Sequence, residues 1–128
     1  MRRSPVLFSA AAALAAFAVL PTAPALAASP QAPICTLFAN QPTREGNTLV
    51  ATGGRIGCRN TATVTVRLMF EQQDATAKVL GELVQSGTEI NLAAKAPCTT
   101  GGQVRVHTET RSSTGAVYRS PSVTFDRC

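Results

Sequence analysis

The sequence has no tryptophan, a single histidine (His107) and a single tyrosine (Tyr118), and only seven acidic residues. Each shortage removes a class of function. Carbohydrate and single-strand binders usually offer aromatic platforms. Beyond residue 27 the only aromatics are Phe38, Phe70, Tyr118 and Phe125. Phe70 and Phe125 fall in register with apolar strand positions and read as core, so nucleic acid is not an expected partner. Nucleophilic catalysis needs a nucleophile, a base and an orienting group, and no G-x-S-x-G elbow accompanies His107. Glycosidase chemistry needs two carboxylates with their pKa values pushed apart. Glu71, Asp74 and Glu82 are the nearest approach to such a set, and solubility is their simplest role. The chain is not expected to be an enzyme.

Close cysteine pairs are also missing. Cys35, Cys58, Cys98 and Cys128 are separated by 23, 40 and 30 positions, whereas structural zinc sites gather ligands in pairs such as C-x-x-C. Neither a metal nor any other cofactor is expected. The longest apolar run, residues 6–20, is shorter than the roughly 20 residues that cross a membrane. It follows Met1, Arg2 and Arg3 and precedes Pro21, Pro24 and the small-x-small triplet Ala25, Leu26, Ala27. That is the plan of a cleaved signal peptide over residues 1–27, with the cut before Ala28. The product is expected to be secreted and extracellular, without stable membrane insertion. Loss of Arg2 and Arg3 leaves ten basic residues against seven acidic ones and lowers the net charge from +5 to +3. At that balance Arg55, Arg59, Arg67, Arg105, Arg111 and Arg119 read as a dispersed solvated face.

What the sequence has in quantity is strand signal. Over residues 62–71, Ala62, Val64, Val66, Leu68 and Phe70 alternate with mostly polar positions, the period of a half-buried strand. Residues 103–111 alternate likewise, with Val104, Val106, Thr108 and Thr110 on one face and Gln103, Arg105, His107, Glu109 and Arg111 on a face read as solvated. Weaker strands fit 34–38, 48–52, 79–84, 89–93, 116–119 and 122–127. Gly46-Asn47, Gly53-Gly54, Ser86-Gly87, Gly101-Gly102 and Ser113-Thr114-Gly115 supply turn chemistry between them. Seven to eight short strands without helices predict an all-β, immunoglobulin-like antiparallel β-sandwich over residues 34–128.

An even cysteine count in an exported chain predicts two disulfides. Opposed residues of a hairpin are equidistant from its turn. Cys35 and Cys58 are centred on Gly46-Asn47, and Cys98 and Cys128 on Ser113, so these pairs are the expected bonds, each closing a hairpin.

Two segments remain as candidate contacts. Residues 28–33 (Ala28, Ser29, Pro30, Gln31, Ala32, Pro33) are too short and Pro-rich to fold alone and suit an extended segment that docks on a partner. Lys95, Ala96 and Pro97 precede Cys98 and predict a basic, disulfide-anchored loop, the alternative being a protease-inhibitor loop preorganised for binding. With leader, cysteine layout, Pro-containing N-terminus and the Ser112-Ser113-Thr114-Gly115 turn together, the chain resembles the small secreted two-disulfide proteins of actinobacteria. Within that group it is similar to the adaptor subunits of umbrella toxin particles. The resemblance implies a structural adaptor that joins a lectin-like subunit to a large repeat-bearing toxin subunit, with residues 28–33 entering a cleft of one partner. Actinobacterial inhibitors of the subtilisin-inhibitor type share size, leader and cysteine number, but their disulfides enclose tighter loops.

Overall fold

The structure is a computed structural model that describes residues 34–99 and 101–128. The expected signal peptide and the segment 28–33 lie outside the described residues. Within them the chain forms nine strands and no helix: β1 (Thr36–Ala39), β2 (Thr43–Glu45), β3 (Thr48–Ile56), β4 (Ala62–Phe70), β5 (Lys78–Gly87), β6 (Ile90–Pro97), β7 (Val104–Ser112), β8 (Val117–Arg119) and β9 (Val123–Phe125). No helix among the described residues is long and apolar enough to cross a membrane.

The strands make two antiparallel sheets. In the first, β3 is paired along one edge with β1 and β2 and along the other with β6. In the second, β4 lies between β5 and β7, and the far edge of β7 pairs with β8 and then β9. The alternating residues explain the packing. Val64, Val66 and Leu68 of β4 are fully buried while Thr63, Thr65 and Arg67 face outward, half-buried. They share one core with Leu49 and Ala51 of β3, Ile90, Leu92, Ala94 and Ala96 of β6, and Val104 and Val106 of β7. One apolar face from each sheet is covered by the other, a β-sandwich-like stack.

Three local expectations change. β2 is a ninth strand, formed because Gly46 adopts φ 60° and lets Glu45 pair directly with Thr48, the positive φ a two-residue hairpin turn needs. Gly53-Gly54 is no turn but the middle of β3. A Cβ on Gly53 would lie 2.2 Å from Thr110 Oγ1 and 2.9 Å from the Phe38 carbonyl oxygen, and one on Gly54 would meet the Ile90 carbonyl oxygen at 1.8 Å. These glycines serve close approach of neighbouring backbone and side chains within the sandwich. Lys95, Ala96 and Pro97 are the end of β6, paired with Val50, Leu49 and Thr48 of β3, and not a connecting loop.

The disulfides join Cys35 to Cys58 and Cys98 to Cys128. The first closes the open end of the β1–β3 pairing, as the symmetry about Gly46-Asn47 predicts. The second has another cause. Cys98 follows β6 of the first sheet and Cys128 follows β9 of the second, so this bond clamps sheet to sheet instead of closing a hairpin.

Candidate functional site

The alternation that points Leu49, Ala51 and Gly53 inward continues to Arg55, and it carries a guanidinium into the end of the sandwich. Arg55 is 1% exposed, the largest fully buried side chain of the described residues. Its Nη1 donates to the Gly87 carbonyl oxygen at 3.2 Å, and its Nη2 donates to Asn60 Oδ1 at 2.9 Å and lies 3.1 Å from Cys35 Sγ. Its Nε is buried without a hydrogen-bond partner. No carboxylate of the described residues forms an ion pair with it. A buried charge held only by neutral acceptors is costly, because its lost hydration is returned in part.

Arg55 forms part of the wall of a cavity of about 460 Å³ at the side of the molecule where β1 of one sheet faces β8 of the other. Thr36 and Leu37 line it from β1, Val117 and Tyr118 from β8, Ser112 from the end of β7, and Thr114 and Ala116 from the turn before β8, with Asn60 and Cys35 beside the guanidinium. The surroundings are apolar and open. Tyr118 is 51% exposed and Val117 44%. Ile56, the strand partner of the lining residue Thr36, and Ile34, next to Cys35, are exposed as well. The combination is an oily mouth over a buried cation.

The polar face of β7 is not the solvated surface its sequence suggests. Glu109 is 2% exposed and receives Arg111 Nε at 2.5 Å and Arg119 Nε at 2.8 Å, with Arg67 Nη1 at 3.8 Å. Burial pushes its carboxyl up, and the hydrogen bonds and charges of Arg111 and Arg119 outweigh that and hold it below the usual carboxylate range. His107 is buried too, with Nδ1 2.8 Å from Glu71 Oε1. Glu71 also pairs with Arg105 Nε at 2.8 Å and accepts a hydrogen bond from the Ser122 hydroxyl. The Ser122 hydroxyl first, then His107 and Arg105, keeps the Glu71 carboxyl below its ordinary range against the opposing effect of burial.

In a serine–histidine–carboxylate relay the hydroxyl bonds the imidazole. Here Ser122 bonds the carboxylate, and the group joins the end of β4 to β7 and to the segment entering β9. A polar hollow of about 520 Å³ lies beside it, lined by Phe70, Glu71, Gln103 and Arg105 among others. Glu71, Asp74 and Glu82 are not assembled as one acidic set. Glu82 is taken by Arg67 at 2.5 Å, Glu71 by His107 and Arg105, and Asp74 is exposed in the loop after β4.

Among the described residues no three His, Cys, Asp or Glu side chains gather as metal ligands do. Lys95 is exposed on β6, with its neighbours Ala94 and Ala96 buried. The cavity around Arg55 is the feature that sequence reasoning missed. Its signal was the spacing of Arg55 from Leu49 and Ala51, hidden by reading Gly53-Gly54 as a turn. No protein-family model, curated protein or solved structure matches the chain.

Proposed function

We propose that the chain is a secreted, non-enzymatic protein-binding module of immunoglobulin-like build, most concretely a structural adaptor subunit of an extracellular bacterial toxin or antagonism complex. The observation that carries the reading is the open cavity between β1 and β8, rimmed by exposed Val117 and Tyr118. Large apolar side chains around a concavity are what a protein partner covers. Both strands are short edge strands, so a partner segment has backbone to pair with as well as a hollow to fill. Two disulfides and no free cysteine among the described residues suit an oxidising compartment.

In this reading residues 28–33 make a second contact, and the partners are other secreted proteins, a lectin-like subunit and a repeat-bearing toxin subunit. Four of the arginines serve the protein's own carboxylates: Arg67, Arg111 and Arg119 surround Glu109, and Arg105 holds Glu71. That arrangement supports a role without nucleic acid. A protease-inhibitor role through Lys95 gains no support from a residue whose backbone is paired in a sheet, since a reactive-site segment must be free to enter a protease cleft.

The test is affinity purification of the tagged protein from culture supernatant, beside Tyr118→Ala and a variant lacking residues 28–33. The wild type is expected to retain secreted partners in fixed stoichiometry and Tyr118→Ala to lose one of them. Recovery of the wild type alone, as a monomer, overturns the proposal.

A further inference from the structure

The guanidinium of Arg55 has a coordination that is incomplete in both donors and charge. Its acceptors are a backbone carbonyl at 3.2 Å, the Asn60 amide oxygen at 2.9 Å and the Cys35 sulfur at 3.1 Å, and its Nε–H has none. Arginine stays protonated in proteins, so a full positive charge sits in the wall of the cavity. The other Arg side chains of β4, β7 and β8 all have carboxylates.

From this we infer that the cavity is a recognition site for a carboxylate carried on an apolar body. The carboxylate displaces the exposed Asn60 side chain from Nη2 and bonds the guanidinium with two oxygens, using the free Nε–H. A cation held by a neutral amide exchanges it for an anion, and charge-assisted bidentate bonds are roughly twice as strong as neutral ones. Leu37, Val117 and Tyr118 then cover the apolar body. The carboxylate has two sources: the C-terminus of a polypeptide with an apolar last residue, or a small free acid. The inference rests on the binding-module reading for the first source alone.

The experiment uses the purified protein and four probes: 3-phenylpropionate, its amide, the peptide acetyl-Ala-Val-Phe with a free carboxylate, and that peptide amidated. Binding is read from NMR shifts of Asn60 and Tyr118. Both acids are expected to bind and both amides to bind about tenfold more weakly or worse. Tighter binding of the peptide acid than of phenylpropionate identifies a polypeptide terminus as the source, and equal binding identifies a small acid.

Because Arg55→Met removes a buried group and is prone to misfolding, the decisive variant is Asn60→Asp. It supplies the missing carboxylate from within. It is expected to raise Tm by about 4–8 °C and to weaken acid binding about tenfold or more. Amides binding as well as acids, no binding by either acid, or unchanged acid binding in Asn60→Asp overturns the inference. If the acids fail while Tyr118→Ala still releases a secreted partner, the carboxylate site falls and the binding module stands. If the acids bind and no partner is captured, the reverse holds.

Discussion

Glycine 53 is the residue on which the approach of the two sheets turns most sharply. Its absent Cβ leaves room for Thr110 Oγ1, which donates to the Phe38 carbonyl oxygen at 2.8 Å. A methyl there meets a β-branched side chain and a backbone oxygen, neither of which yields cheaply. Gly53→Ala is therefore expected to destabilise by about 1–3 kcal/mol, the usual cost of overpacking. Gly102→Ala, where nothing lies within 4 Å of the added Cβ, is expected to stay within about 0.5 kcal/mol of wild type. Paired chemical melts check both, and equal midpoints for the two variants would refute the close-approach account. The same residue shows where sequence reading stops. A Gly-Gly pair carries the composition of a turn whether it reverses the chain or admits a neighbour, and the neighbour here, Thr110, is far away in sequence. Arg55 shared that fate, since its inward direction follows only once β3 runs straight through the glycines.

At the scale of elements, β4 and β7 are legible because period-two alternation is a local property. Their outer faces are not. Glu109 is buried by side chains from three strands: Arg67 on β4, Arg111 on β7 itself and Arg119 on β8. No window along β7 contains that arrangement. Its consequence is a dependence on acid. Glu71 and Glu109 are both held below the ordinary glutamate range in the folded chain. Between the folded and unfolded pKa the unfolded chain binds more protons, so unfolding becomes harder as pH rises through that interval. Their stabilisation is thus fully present above the unfolded value and is lost as pH falls through the folded one. Thermal melts from pH 6 downward are expected to show Tm falling once pH drops below about 4.5. Glu109→Gln is expected to flatten that acid limb and to cost about 2 kcal/mol at neutral pH, the range for a hydrogen bond to a charged group. An acid limb as steep in Glu109→Gln as in wild type excludes Glu109 as its source.

β6 gives the opposite lesson about loops. Pro97 and the cysteine after it read as punctuation, yet Pro97 closes an edge strand, a position where a missing N–H is tolerated. Lys95 is exposed between buried Ala94 and Ala96, the alternation of a strand in a stretch too alanine-rich to announce it. Its free edge is shielded in part by β5, where Gly81 lies so close that a Cβ would come within 2.4 Å of the Lys95 carbonyl oxygen. Leu83 and Val84 of β5 are exposed at the border of the second sheet.

For the molecule as a whole, the two disulfides enclose loops of 23 and 30 residues and by the chain-entropy argument each contributes about 3–4 kcal/mol. Equal loop terms do not make them equal in function. Cys98–Cys128 clamps the end of β6 to the segment after β9, on strands that contribute no lining residue to the Arg55 cavity. Cys35–Cys58 touches that cavity: Cys35 lines it, and its sulfur lies 3.1 Å from Arg55 Nη2. Symmetry about turns identified both pairs from sequence, but could not separate a bond within one sheet from a bond between two, because that distinction depends on which sheet β6 joins. The separation is measurable. Non-reducing peptide mapping is expected to recover Cys35 with Cys58 and Cys98 with Cys128. Paired Ala substitutions of either bond are expected to lower stability by about 3–4 kcal/mol. Loss of Cys98–Cys128 is expected to raise amide hydrogen exchange at the ends of β6 and β9 while partner capture at low temperature persists. Loss of Cys35–Cys58, at the same cost in stability, is expected to weaken capture as well, since it frees the wall that holds Arg55. Equal capture by both variants would place the partner elsewhere on the sandwich and detach the cavity from the proposed binding role.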